Sequence, residues 1–239
     1  MSSILLVLLA MLLVAIVPNL ALPNTKYPSC NLSMAKLSLP LNQTVLASPT
    51  TTPSFVGLGV GVQNYTCNAT SLTYSSAGAV VEVFDISCLS ATSLFSTIQN
   101  YAFDIWNNGS ASNVTTQDVI DTLGHDPIVL GQHYFVANGT DPATGSPAIS
   151  PVWDFTSGAE KGNTEAFVIA AVVGDIPAPT GTDDVDWLQL KNVEGELADT
   201  VYRVDTKGGQ PPMSCTADAP LLSVKFTTKY WLFGGCIKH

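Results

Sequence analysis

The sequence predicts an all-β protein, a single antiparallel β-sandwich or barrel with a short helical insertion. Two observations carry this prediction. Short runs rich in β-branched and aromatic residues recur along most of the chain, each bounded by Gly, Pro, Asn or Asp, and helical periodicity is confined to one region. Successive strands without alternating helices favour a sandwich or barrel over a βα architecture.

The N-terminal segment combines an apolar leader with a proline-rich arm. Residues 4–17 are all apolar, too short a run for a membrane span of about 20 residues. We therefore expect a secretory signal peptide over 1–21, with an uncleaved anchor as the alternative because Lys and Arg are absent before the run. Residues 22–54 are rich in Pro, Ser and Thr, which predicts an extended surface arm.

Residues 55–239 are expected to form the β domain. Seven runs have the composition of strands: 60–67, 79–86, 128–136, 166–173, 187–193, 200–204 and 222–233. The helical insertion is expected at about 92–124. Its first helix has apolar residues at i, i+3 and i+4 spacing, and its second is capped by Thr116 and stopped by Gly124.

A glycine-rich stretch, VGLGVGVQNYTC, raises the question of dinucleotide binding. Gly57, Gly59 and Gly61 do not fit G-x-G-x-x-G, because the third glycine position holds Val62 or Asn64. A β-pattern follows where the fingerprint needs a helix N-terminus. We interpret the glycines as easing the approach or bend of an entering strand, and we expect no cofactor.

Charge and cysteine content restrict the compartment and the partners. The formal net charge of −10 disfavours nucleic acid and anionic lipid as partners, and no stable membrane anchor is expected after signal cleavage. In a secreted chain the five cysteines predict two disulfides and one leftover thiol. Seven N-x-S/T sequons predict a glycoprotein, extracellular or associated with a cell wall: Asn31, Asn42, Asn64, Asn68, Asn108, Asn113 and Asn138.

A series of motifs carries a family resemblance. The chain contains, in this order, GVQNYTC, AGAVVEVFDISCL, GQHYFV, PVWDFTSG, DWLQL, VYRVDTKGGQPPMSC and KYWLF. The series resembles a family of secreted fungal proteins, with shorter bacterial relatives, catalogued as a domain of unknown function. The resemblance implies an all-β fold and no established activity. Fungal members often carry a malate dehydrogenase label, which the glycine spacing does not support.

The same resemblance implies a disulfide pattern. Bacterial relatives keep cysteines that match only Cys67 and Cys215, which implies that these two are partners. Cys30 would then pair with Cys88, and Cys236 would be free. A local bridge between Cys67 and Cys88 stays open as the alternative, because the strands that hold them are candidate hairpin neighbours.

The polar candidates support two hypotheses about function. In the first, a non-catalytic extracellular or wall-associated protein binds glycan or a small ligand. Tyr65, Trp153 and Tyr230 would stack on sugar rings if exposed, although strand aromatics are usually core residues. In the second, His133 and Asp154 meet beside Trp153 across a sheet face in a hydrolase-like enzyme. The sequence supplies no third ligand for a zinc site.

The last candidate is the strand-like segment VYRVDTKGG. Its charged residues Arg203, Asp205 and Lys207 alternate along one predicted strand face, which favours a cross-strand ion pair leading into a turn at Gly208 and Gly209. An anion-binding loop is the alternative, and Arg203 is therefore a candidate ligand-binding residue.

Overall fold

Eight strands and one α-helix make up the computed structural model, which describes residues 30–108, 129–140 and 147–237. The strands are β1 (Pro53–Asn68), β2 (Thr73–Asp85), β3 (Val129–Thr140), β4 (Pro147–Asp154), β5 (Phe167–Ile176), β6 (Trp187–Glu194), β7 (Thr200–Gly208) and β8 (Leu222–Phe233). Two 3₁₀ turns, Ser87–Leu89 and Ser93–Ser96, precede helix α1 (Ile98–Asn108).

The strands form one closed barrel. Each strand pairs antiparallel with the next along the chain, and β8 pairs with β1 to close the sheet. The predicted all-β class is confirmed, and of the two architectures left open the chain adopts the barrel. Closure pairs both long edges of the sheet, which removes the exposed edges that an open sandwich would leave.

Alternation along the strands divides the apolar residues between two layers. Phe55, Val201 and Leu232 belong to the cluster that fills the lumen, whereas their chain neighbours Val56, Tyr202 and Phe233 belong to a second cluster on the outer wall. The arm and α1 cover this outer layer, mainly through Leu32, Leu46, Ile98 and Ala102. Both faces of β1, β7 and β8 are therefore buried, which is why these strands are nearly continuous apolar runs.

The glycine-rich stretch lies inside β1, so it is part of the barrel wall. The strand begins at Pro53, seven residues before the predicted start of the strand and two residues before the predicted start of the β domain at residue 55. A Cβ built on Gly57 would lie 2.5 Å from Val83 Cγ1, and one on Gly59 would lie 2.6 Å from Tyr230 Cε2. These glycines face the lumen and make room for side chains from neighbouring strands.

Replacing Gly59 with alanine is expected to lower the free energy of unfolding by about 1–3 kcal/mol, the usual cost of overpacking a core. Urea denaturation measures the loss. The added methyl group would press on the ring of Tyr230, so a double-mutant cycle with Tyr230→Leu should show strong coupling. Strictly additive losses would mean that Gly59 does not make room for this ring.

The described helix agrees with the first half of the predicted insertion. Ile98 and Ala102 are buried against the outer wall, as their spacing predicts, whereas Tyr101 is 45% exposed. Thr227 Oγ1 donates a hydrogen bond of 2.7 Å to the carbonyl of Gln99 and ties α1 to β8. The second predicted helix, Asn113 and the predicted signal peptide lie outside the described residues.

Two disulfides link the chain, Cys30–Cys88 and Cys67–Cys215, and Cys236 is free. These are the pairings that the family resemblance implies. The alternative of a local bridge between Cys67 and Cys88 is wrong. Cys67 lies opposite Tyr74, at one end of the β1–β2 hairpin. Cys88 follows Ile86, whose N–H bonds to the Val56 carbonyl at the other end. About ten residues of strand, on the order of 35 Å, separate these ends.

Candidate functional site

A cavity of about 290 Å³ is lined by residues of β3, β4, β5, β6 and β7, and it opens to solvent beside the exposed Ile149 and Val172. Its walls are mainly apolar, and its polar lining groups are His133, Ser150, Trp153 and Arg203. The apolar lining comprises Phe135, Ile149, Pro151, Ala170, Ala171, Val172, Leu188 and Leu190. The cavity is thus a short apolar chamber with a single guanidinium in its wall.

Weak pairing between β4 and β5 accounts for the cavity. The two strands pair only from Val152–Ile169 to Asp154–Phe167, and the next residues of each strand line the cavity instead. Pro151 has no N–H to continue the ladder. Irregular register in β5 next to Ala170 and before Gly174 turns this strand away from its neighbour. The wall of the barrel is therefore least closed beside the cavity.

His133 is held inside the barrel as a neutral imidazole. It stacks on Trp153 with ring centroids 4.3 Å apart, and its Nδ1 lies 2.8 Å from the Val152 carbonyl. A carbonyl only accepts, so Nδ1 carries the proton and Nε2 keeps its lone pair. Burial lowers the pKa of His133 to about 3. A group this weakly basic is poorly suited to general-base catalysis near neutral pH.

Asp154 lies on the opposite face of β4. His133 is paired with Trp153, and the next residue along β4 projects outward, away from the lumen. The Tyr134 hydroxyl donates to Asp154 Oδ2 at 2.9 Å, and Thr156 donates to Oδ1. Burial acts to raise the pKa of Asp154, but these hydrogen bonds outweigh it and lower the pKa. The predicted pairing of His133 with Asp154 is therefore wrong.

The three candidate aromatic residues are lumen residues. Trp153 and Tyr230 are 1% and 0% exposed, and Tyr65 is 8% exposed. The Tyr65 hydroxyl donates a 2.8 Å hydrogen bond to the Gly209 carbonyl, and burial raises the pKa of Tyr65 to about 12. The hypothesis that these rings form an exposed platform for stacking on sugars is therefore wrong. The alternative interpretation, that they are core residues, is confirmed. Of the three, only Trp153 lines the cavity.

The charged residues of β7 do not share one face. A bulge with positive φ at Asp205 interrupts the strand, so Arg203 lines the cavity whereas Asp205 pairs with Lys229 on β8 at 2.9 Å. The predicted cross-strand ion pair exists, but it uses Asp205 alone of the three. Lys207 lies 3.5 Å from Asp184, and β7 continues to Gly208 rather than turning there.

The apolar lining residues were not identified as site residues from the sequence. Ala170 and Leu190 lie in runs that were predicted as strands, yet nothing in those runs distinguishes a cavity wall from packed core. The signal in the sequence is Pro151, the first residue of the PVWDFTSG motif, because proline cannot donate a hydrogen bond to a ladder. The cavity can be located only when it is known where the pairing of β4 with β5 stops.

The comparisons with known proteins agree with this description without adding an activity. No curated protein and no solved structure matches the chain. Residues 47–234 match a family model described as protein of unknown function (DUF3455). This range begins in the arm, runs through all eight strands and contains every residue of the cavity. The chain therefore belongs to the DUF3455 family of proteins of unknown function.

Proposed function

We propose that this protein is a non-catalytic extracellular barrel that binds a small, largely apolar ligand in the cavity between β4 and β5. The observation that carries the proposal is the cavity itself, which combines mostly apolar walls with one fixed cation. Binding sites for small molecules are typically concave, apolar and furnished with a few polar groups that orient the ligand. A volume of about 290 Å³ suits a ligand of one or two rings.

The cavity favours a small ligand over a glycan. Sugar hydroxyl groups need hydrogen-bond partners when they leave water, and eight of the twelve lining residues have apolar side chains. The aromatic residues that would stack on a polysaccharide are buried in the barrel. A ligand with an apolar body matches these walls, because burying apolar surface is favourable by roughly 25 cal/mol per Å².

The disulfides and the exposed sequons support an extracellular location. The two disulfides are typical of chains that fold in an oxidising compartment. None of the helices in the described ranges is long and apolar enough to span a membrane. The sequon residues Asn31, Asn42, Asn68 and Asn138 are exposed, and Asn64 is half-buried. We infer glycosylation at exposed sequons, and mass spectrometry of secreted material would identify the occupied sites.

A neutral two-ring compound, 1-naphthylmethanol, tests the proposed function. Titration into the ¹⁵N-labelled full chain should give saturable shifts at resonances of the cavity wall. Ala170→Leu adds side-chain volume at a buried lining position and is expected to weaken binding at least tenfold. The matched control is Val173→Leu on the same strand, which is 54% exposed and outside the lining. Failure of the wild-type chain to bind the compound would contradict the proposal.

A further inference from the structure

Arg203 is the source of charge in the cavity. Among the described residues that line it, Arg203 carries the only full charge, since burial keeps His133 neutral. The strand register places Arg203 between Leu188 of β6 and Tyr230 of β8. Both neighbours belong to the lumen layer, so the guanidinium is anchored in the barrel wall and not on a loop.

The hydrogen bonds of Arg203 leave one edge of its guanidinium available. Nε and Nη2 both donate to the Asp186 carbonyl, at 3.1 and 2.9 Å. A guanidinium has five N–H donors, and these two bonds leave three, on Nη1 and Nη2. No further hydrogen bond of Arg203 occurs within the described ranges. The Nη1–Nη2 edge is the one that can bind a carboxylate through two parallel hydrogen bonds.

The charge of Arg203 is not neutralised by an ion pair with any described residue. The ion pairs of the described ranges are Lys207–Asp184 and Lys229–Asp205. Asp175 and Asp186 interact electrostatically with Arg203 without reaching ion-pair distance. Arg203 is half-buried, and partial desolvation lowers its pKa, because burial disfavours the charged form. Such a cation gains most from an anionic partner that enters the same site.

Two neutral donors, on the cavity-lining Trp153 and on Tyr230 beside Arg203 in the sheet, also lack partners in the described part of the chain. Trp153 lines the cavity, and its buried indole N–H has no acceptor among the described residues. The buried Tyr230 hydroxyl, on the residue paired with Arg203, is likewise unpartnered there. Buried donors normally find acceptors. An indole N–H can only donate, so Trp153 can donate to an acceptor that enters the cavity, although the other tryptophans of the described ranges also lack indole acceptors.

We propose that the cavity binds a small monocarboxylate with an apolar body, whose carboxylate takes the Nη1–Nη2 edge of Arg203 and whose body lies against the walls formed by β4, β5 and β6. This proposal rests on the proposed function, because it names the chemical class of the ligand for the same cavity. The carboxylate supplies acceptors and a negative charge, and the apolar walls take the remaining part of the ligand.

A single negative charge fits the site better than several. Arg203 offers one positive charge, and the carboxylates of Asp175 and Asp186 lie near enough to oppose added negative charge. A phosphate monoester, with close to two charges at neutral pH, would leave one of them in an apolar chamber without a counter-charge. An amine would be repelled by the guanidinium.

Paired titrations of 1-naphthoate and 1-naphthylmethanol into the full chain at pH 7 test the proposal, because the two compounds share a body and differ in charge. We expect 1-naphthoate to bind at least tenfold more tightly, and its addition should shift the Arg203 Nε–Hε resonance of the wild-type chain. Arg203→Gln should abolish this preference. Lys207→Gln removes the same charge from the same strand, outside the cavity lining, and should retain the preference.

The outcomes separate this proposal from the proposed function. Equal affinities, or tighter binding of the alcohol, would overturn the carboxylate proposal and leave apolar-ligand binding intact. Binding of neither compound would overturn both. Persistence of the preference in a folded Arg203→Gln chain would also reject the role of Arg203. If that variant does not fold, the wild-type comparison and the Arg203 resonance still decide the question.

Discussion

Replacing Cys67 and Cys215 with serine is expected to lower the free energy of unfolding by about 5 kcal/mol, the largest loss among the changes considered. The bridge joins residues 148 apart in sequence, and in the chain-entropy model a cross-link of this length lowers the entropy of the unfolded chain and raises its free energy by about that much. The bridge ties the end of β1 to the connection between β7 and β8. Guanidinium denaturation of the oxidised protein and of the double variant measures the difference.

Two further variants calibrate this loss. Removing Cys30 and Cys88, which are 58 residues apart, should cost about 4 kcal/mol by the same model. Cys236→Ser changes a free, exposed cysteine and should leave stability within about 0.5 kcal/mol. A Cys67–Cys215 double variant as stable as the Cys236 variant would contradict the entropic argument. A marginal domain has only about 5–15 kcal/mol in total, so the double variant should be close to unfolding.

The strands could be predicted wherever their own residues favour extended structure. The predicted runs 187–193 and 222–233 lie close to the observed bounds of β6 and β8. β8 is rich in β-branched and aromatic residues, and β6 begins with a tryptophan and carries a valine near its end. The first half of β1 was missed because glycine has low strand propensity. Gly59 makes room for Tyr230 on β8, a residue about 170 positions away in sequence.

The side of the sheet on which a side chain lies is harder to predict than the strand itself, because it depends on the register between strands. His133 and Asp154 lie in adjacent strands, but the register that pairs His133 with Trp153 sends Asp154 to the other side. Arg203 and Asp205 have the spacing of one face, and a bulge at Asp205 separates them. Trp153 and Arg203 were candidates from sequence, yet only the closed barrel brings them to one cavity.

Acidification is expected to destabilise the barrel from about pH 6.5 downward, because His133 is neutral in the folded protein. Burial lowers its folded pKa to about 3, whereas an unfolded histidine has a pKa of about 6.5. Between these values the unfolded chain binds a proton that the folded chain does not, so stability is fully present above pH 6.5 and falls as the pH decreases towards 3. The loss is on the order of 5 kcal/mol over the whole range.

The window between pH 6.5 and 5 separates His133 from the perturbed carboxylate of Asp154, and the other perturbed carboxylate, Asp175, acts with the opposite sign. Asp154 has a lowered pKa, so its contribution is lost only below its unfolded value of about 3.9. Asp175 has a raised pKa, caused by burial and then by Asp186, and it therefore acts in the opposite direction at low pH. Urea denaturation at several pH values should give a slope approaching 1.4 kcal/mol per pH unit in this window.

Two variants separate titration of His133 from simple loss of packing. His133→Asn keeps a side-chain N–H near the Val152 carbonyl and removes the titrating group, so the slope between pH 6.5 and 5 should largely disappear even though stability falls. Leu190→Ala removes buried volume from the same cavity wall and leaves His133 in place, so it should lower stability while keeping the slope. An unchanged slope in the asparagine variant would assign the acid sensitivity to another group. The imidazole stacked on Trp153 would then be a packing residue whose contribution does not change with pH, and the pH dependence of ligand binding at Arg203 would come from the ligand's own carboxyl group and from Asp175.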